Sequence, residues 1–261
     1  MSPLPPIGPL APPLSTPLPV PYDAYAVPAA TALERCAEVA KAEILGSLLR
    51  PADMASETQI APPRLAYVPF WRVEATVDGF HVGLTYTTRE DGRMGFPIPT
   101  GGARHRDAAL LVTARRLFAY EPRLLQFSPA FTAAAGAVTG MHHLGFPAAE
   151  MAPVRSVQMT GEIVDADVTR EAAERQAMDM MLRAVQPRSA IYAKYEPKIR
   201  SIAFTYYPLA VVRYRYEGHA RRHPGEAFWV VVSARSGKVV GGHHPSALRS
   251  VSARVRKLLT L

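Results

Sequence analysis

Apolar and polar residues alternate with period two in two stretches of the chain. In YVPFWRVEATVDG, residues 67–79, Val73, Ala75 and Val77 alternate with Glu74, Thr76 and Asp78. In YYPLAVVRYRYEG, residues 206–218, Val212, Tyr214 and Tyr216 alternate with Arg213, Arg215 and Glu217. One apolar side at this period predicts half-buried antiparallel strands. Pro69 and Pro208 cannot donate to a ladder, so each is expected at a strand start, an edge or a bulge. Gly79 and Gly218 are expected to close the strands with turns. A further strand is predicted after each glycine, at 80–88 and 227–234, followed by the turns REDGRM and RSGKVV and a short third strand.

Ahead of each phrase the period becomes helical. Leu33, Ala37, Ala40, Ile44 and Leu48 recur at helical spacing behind Thr31 and Glu34, a T-x-x-E capping box. The second helix is predicted to begin near Asp167 or Thr169, with Glu171 in its first turn. It continues through Met178, Met181, Leu182 and Val185 until Pro187 stops it. Its methionines, Met178, Met180 and Met181, read as gap-filling core.

Thr31 precedes Tyr67 by 36 residues and Thr169 precedes Tyr206 by 37, so the likeness spans a whole unit. The expected fold is α+β, an internal duplication of a helix plus an antiparallel β-meander. The boundaries drawn are 1–21, a disordered Pro-rich arm; 22–103, a first repeat; 104–153, a connecting segment; 154–245, a second repeat; and 246–261, a basic amphipathic helix. Within the connecting segment, 108–114 reads as a strand and 122–138 as a broken helix and loop. Residues 1–21 contain no Lys or Arg, and proline interrupts every apolar run, which fits neither a signal peptide nor a membrane span.

With 261 residues, 48% hydrophobic, the chain can fill one large core or two modest ones. Its formal charge of +8 brings anionic partners into consideration. Cys36 is the only cysteine, so there is neither an intramolecular disulfide nor a Cys-built zinc site, and its helical apolar setting predicts a core thiol.

Motifs for chemistry are sparse. There is no G-x-x-x-x-G-K-[ST], no G-x-G-x-x-G and no G-x-S-x-G. Asp165 and Asp167 share a strand face, and they precede a helix, where carboxylates satisfy exposed N–H groups. Gly101 and Gly102 read as a flexible turn that would hold an anion beside Arg104, His105 and Arg106. Pairing the last two strands around RSGK puts Phe228 opposite His243 and Ala227 opposite His244, at the sheet end that carries His219 and His223. Four imidazoles would meet the ligand count of Zn²⁺ or Ni²⁺, but no second-shell partner is identifiable, so neither metal nor cofactor is expected.

Two basic surfaces remain. In SALRSVSARVRKLLTL, Leu248, Val251, Val255, Leu258 and Leu259 form one helical face, with Arg249, Arg254, Arg256 and Lys257 elsewhere and no acid. Such a helix docks on its own domain or on an anionic membrane. Arg213 and Arg215 on an exposed strand face, with Arg221 and Arg222 in the next loop, are the candidates for phosphate contact.

The stretch PFW at 69–71 and the run SGKVVG at 236–241 followed by Pro245 resemble signatures of bacterial zinc-ribbon proteins of the primosomal-protein-N′-like or helicase-like kind. The resemblance spans roughly residues 27–246 and implies a helix, an LPFW-type strand, a variable middle, a second helix and a closing strand pair. The Cys-rich ribbon of that group is missing, and with it any role that depends on zinc. Some members continue into membrane segments and resemble partners of stomatin-like scaffolds. No motor domain accompanies the signatures, so helicase activity is not implied.

The expected function is a non-enzymatic adaptor or scaffold for a protein partner, cytoplasmic and peripheral at the inner membrane. Its site residues are Arg249, Arg254, Arg256, Lys257, Leu258 and Leu259. The alternative is an accessory nucleic-acid-binding protein using Arg213, Arg215, Arg221 and Arg222.

Overall fold

A computed structural model describes residues 14, 16–46, 54–88, 94–115, 151–185, 190–217 and 228–245. The elements are β1 (Tyr25–Ala26), α1 (Leu33–Gly46), α2 (Met54–Glu57), β2 (Thr58–Ile60), β3 (Arg64–Thr88), β4 (Met94–Thr113), β5 (Ala152–Pro153), β6 (Glu162–Ile163), α3 (Arg170–Val185), β7 (Ala190–Tyr216), β8 (Phe228–Ser233) and β9 (Val239–His243). The class is α+β, as expected: a large mixed sheet with two substantial helices. The central strands are β3 and β7, which run antiparallel, and β4 flanks β3 while β8 and then β9 flank β7.

The two copies of the repeated phrase lie side by side in this ladder. Tyr67 stands opposite Pro208, Val68 opposite Tyr207, and Pro69 opposite Tyr206. Around that centre the backbone pattern of one half recurs in the other. β1 pairs in parallel with Thr205 and Tyr206, and β6 with Ala66 and Tyr67, positions 139 residues earlier. The Val27 N–H donates to the Tyr206 carbonyl at 2.9 Å and the Val164 N–H to that of Tyr67 at 3.0 Å. Ala30 and Thr31 both donate to the Ala234 carbonyl, as Asp167 and Val168 do to that of Ala114. The Ala114 N–H reaches the Pro69 carbonyl, and the Ala234 N–H that of Pro208.

α1 buries its stripe against strands of the other half, and α3 packs both on strands of the other half and on the early part of β7 in its own. Cys36, Ala40 and Ile44 of α1, all fully buried, pack on Val212, Tyr214 and Tyr216 of β7 and on Val230 and Val232 of β8. Ala173, Ala177 and Met181 of α3 pack on Val73, Ala75 and Val77 of β3 and on Leu110 and Val112 of β4. The Trp71 indole N–H donates to the Val168 carbonyl at 2.8 Å, which fixes the chain's entry into α3. The other sheet face carries Val68, Phe70, Tyr207, Leu209 and Val231 in a third cluster.

Several local expectations hold. Cys36 is a core thiol, its pKa raised chiefly by burial. Thr169 caps α3, its hydroxyl accepting the Ala172 N–H at 3.3 Å, and Glu171 titrates below the usual carboxylate range through hydrogen bonds at this helix start. Gly237 has φ 67°, the left-handed geometry that the RSGK turn needs.

Others do not hold. Thr31 does not cap α1; its hydroxyl bonds the Arg235 carbonyl at 3.4 Å, and the Ala32 carbonyl accepts the Cys36 N–H. Gly79 makes no turn, because β3 continues to Thr88; the glycine is needed where β7 approaches, since a Cβ there would lie 2.2 Å from the Lys194 carbonyl oxygen. The segment with Gly101, Gly102, Arg104, His105 and Arg106 is likewise continuous strand within β4, so no anion-holding turn forms. Leu18, inside the expected disordered arm, packs on the core, and its N–H donates to the Ala166 carbonyl at 3.0 Å. The reading of 122–138 lies outside the described residues.

Candidate functional site

The longest departure from the recurrent pattern among the described residues is at the far end of β3. Past Val77, β3 runs on for eleven residues with β4 on one side and the beginning of β7 on the other, forming a three-stranded arm. Opposite residues share a face, so Phe80, Val82, Leu84 and Tyr86 line one side with Tyr192, Ala103, Pro99 and Pro97. The Phe80 and Tyr192 rings lie 5.6 Å apart. On the reverse side Ile98 stands opposite Thr85, and the Tyr195 hydroxyl is 3.1 Å from His81 Nδ1. Among the described residues, twelve large hydrophobic side chains are exposed, and eight of them are on this arm: Phe80, Val82, Tyr86, Met94, Phe96, Ile98, Ile191 and Tyr192. Met94 and Phe96, near the hairpin end, are three-quarters exposed.

The arm's edges carry proline. A proline inside a continuous ladder must turn its nitrogen away from the paired strand, so Pro97 and Pro99 remove outward donors from the free side of β4, and Pro197 does so on β7. Edges blunted this way resist strand addition, while the apolar face stays open.

A charged network sits where the arm leaves the body. Asp78 Oδ1 is 2.6 Å from His105 Nδ1, His105 Nε2 is 3.5 Å from Asp107 Oδ2, and Arg200 lies 3.0 Å from Asp107 Oδ1. Hydrogen bonds to Asp78 and then Asp107 raise the His105 pKa, and the same contact holds Asp78 below the usual carboxylate range. Glu74 pairs with Arg72 and accepts a 3.0 Å hydrogen bond from the Ser201 hydroxyl. His105 therefore lies between two carboxylates, and the nearby hydroxyl is directed to a third, an arrangement for ion pairing and not for activating a nucleophile. The recess beside it, lined by Glu74, Ala75, Asp107, Ala108, Ala109 and Arg200, is only about 260 Å³.

The site residues expected from sequence are scattered. Arg249, Arg254, Arg256, Lys257, Leu258 and Leu259 lie outside the described residues, as do Arg221, Arg222, His219 and His223. Arg213 and Arg215 are half-buried and not on an exposed face, and Arg215 is 3.3 Å from Glu217. A bulge between Val231 and Val232 shifts the last strand pair, so His243 faces Trp229 instead of Phe228. His243 packs against the Phe228 and Trp229 rings. His244 Nδ1 is 2.7 Å from the buried Tyr214 hydroxyl, and its Nε2 is 3.8 Å from Glu43 Oε1, which ties the end of β9 to β7 and α1. Among the described residues no group of three or more His, Cys, Asp and Glu is placed to hold a metal ion, and no helix is long and apolar enough to cross a membrane.

Gly79, Gly101 and Gly102 punctuate the arm like turns, which conceals it in the sequence. The signal that would have revealed it is the run of Phe80, Val82, Leu84 and Tyr86 at period two directly after the first phrase. Neither a family model nor a curated protein nor a solved structure matches the chain.

Proposed function

We propose that this chain is a non-enzymatic adaptor in which a duplicated α+β body holds one projecting arm toward a protein partner. The observation that carries the reading is the concentration of exposed apolar side chains on the arm, which holds eight of the twelve among the described residues. Open apolar surface on both faces of the arm, with charge at its root and proline at its edges, favours docking by packing over strand addition. The recurrent hydrogen-bond pattern around the two phrases supports descent of the body from two copies of one unit.

A photo-crosslinking amino acid at Phe80 or Phe96, compared with one at Lys41 on α1, tests this in native cells. The reading expects one discrete adduct from the arm positions and none from α1. Identical adduct patterns at all three positions would remove the arm's role.

The same adaptor is placed peripherally at the inner membrane by the basic segment 246–261, whose four cations each contribute about 1 kcal/mol at an anionic surface. Liposome flotation with and without that segment tests this separately, and equal recovery would remove membrane contact.

A further inference from the structure

Neither sequence half, 16–115 or 151–245, contains a complete helix-on-sheet core of its own. The strands β3 and β4 of the first half are covered by α3 of the second, which also packs on the early part of β7, and the later part of β7 with β8 is covered by α1 of the first. The short strands are exchanged in the same sense, β1 onto β7 and β6 onto β3. So are the side-chain ties: Arg64 to Glu162 at 2.7 Å, and Trp71 to the Val168 carbonyl. The junction between the halves is therefore the main structure of the molecule and not a boundary between two finished domains.

We infer that each half carries a self-complementary mating surface whose fitting partner is a second copy of the same unit, so that the chain is a covalently joined, interlocked pseudo-dimer. The reason is the register. Val68 and Tyr207 are equivalent positions, and they face each other, so the β3–β7 ladder has the antiparallel form that a two-fold axis between identical strands would impose. The irregularity nearer the centre obeys the same rule. The pairing slips by one residue after Glu74 on one side, and on the other Ile60 pairs with Tyr214 and the Ala61 N–H donates to the Arg213 carbonyl, in the correspondingly slipped register. Local likeness alone would not place a bulge equivalently on both sides of the centre. The two helices also match by stripe: Cys36, Ala40 and Ile44 correspond to Ala173, Ala177 and Met181, each pair 137 residues apart and each side chain fully buried. This inference stands apart from the arm's role, since it concerns only the body.

Cutting the connection tests it in the full chain. A protease recognition sequence is inserted within residues 116–150, and the purified protein is cleaved without denaturant. The two fragments are expected to elute together at the volume of the uncut chain and to keep its circular dichroism. The urea midpoint of the cut protein should rise when its concentration is raised tenfold, while that of the uncut chain should not move. Val68→Glu at the centre of the ladder should weaken association of the cut fragments at least tenfold, whereas Thr85→Glu on the arm should leave it unchanged. Fragments that elute apart, or that leave solution on cleavage, would overturn the inference, as would equal effects of the two substitutions.

Discussion

Val68 faces Tyr207 across the central ladder, and each is the second residue of its copy of the repeated phrase. At this point of the described sheet equivalent positions of the two phrases meet, while their side chains differ. Tyr207 uses its larger size and polar end: its ring meets Phe70 edge-on at 6.4 Å, and its hydroxyl lies 2.8 Å from the Ser233 hydroxyl. Ser233 also accepts the N–H groups of Arg235 and Ser236, so one buried oxygen links the centre of the sheet to the turn after β8.

Tyr207→Phe removes one neutral buried hydrogen bond and should cost about 1 kcal/mol. Ser233→Ala removes the acceptor for two turn amides as well and should cost more, on the order of 2–3 kcal/mol. Urea denaturation of both single variants and the double variant gives the order. A Tyr207→Phe loss equal to or larger than the Ser233→Ala loss would show that the turn does not depend on that hydroxyl.

Burial raises the phenol pKa values of Tyr206 and Tyr207 to about 12, from an ordinary value of 10.0. A raised folded-state value means that stability is fully present below pH 10, the unfolded value, and declines as pH climbs toward 12. Absorbance titration of phenolate should therefore show a late-ionising class, and unfolding should set in within that window. Ionisation of every tyrosine near the ordinary value with the fold intact would contradict the packing at the centre.

What sequence made legible and what it hid divide along a physical line. Val73, Ala75 and Val77 announce a strand, and Thr169 with Glu171 announces a helix start, because those signals lie within a few residues of one another. The repeated phrase is visible for the same reason, as one local pattern written twice. The partner of each pattern was not visible. Nothing in Cys36, Ala40 and Ile44 says that they pack on β7 and β8 of the other half instead of on the nearer β3, since an apolar stripe is complementary to either sheet. Thr31 misled through the same blindness: it has the chemistry of a cap, but the Arg235 carbonyl 204 residues away takes its hydroxyl. The His243 register failed by one residue because a bulge leaves no compositional trace.

The pairing of His105 with Asp78 makes the arm's base pH-sensitive, with the sign set from both partners. His105 is raised above its ordinary 6.5, so its contribution is complete below that value and is lost as pH rises through the folded-state value. Asp78 is lowered below its ordinary 3.8, so its contribution is complete above that value and is lost as pH falls through the folded-state value. The ion pair is thus fullest between about pH 4 and 6.5. Both groups are exposed, so the effect should appear as local protection and not as global stability. The His105 ring protons should titrate above 6.5 by NMR and move back toward that value in Asp78→Asn. An unchanged midpoint in that variant would show that Asp107 and not Asp78 holds the proton.

Glycine positions on the arm separate close approach from mere permissiveness. At Gly79 an added Cβ would lie 2.2 Å from the Lys194 carbonyl oxygen and 2.7 Å from the Tyr195 Cα, so it meets backbone that cannot swing aside. At Gly102 nothing lies within 4 Å. Gly79→Ala should therefore force β7 away from β3 at the root of the arm and cost on the order of 1–3 kcal/mol, with faster amide exchange from Ala190 to Glu196. Gly102→Ala should be neutral, or stabilising by up to about 1 kcal/mol, because it only removes freedom from the unfolded chain. The two substitutions change the same atom count on one arm, so a difference between them isolates the contact with β7. Equal stability and equal exchange in both variants would mean that β7 does not seal the arm against Gly79.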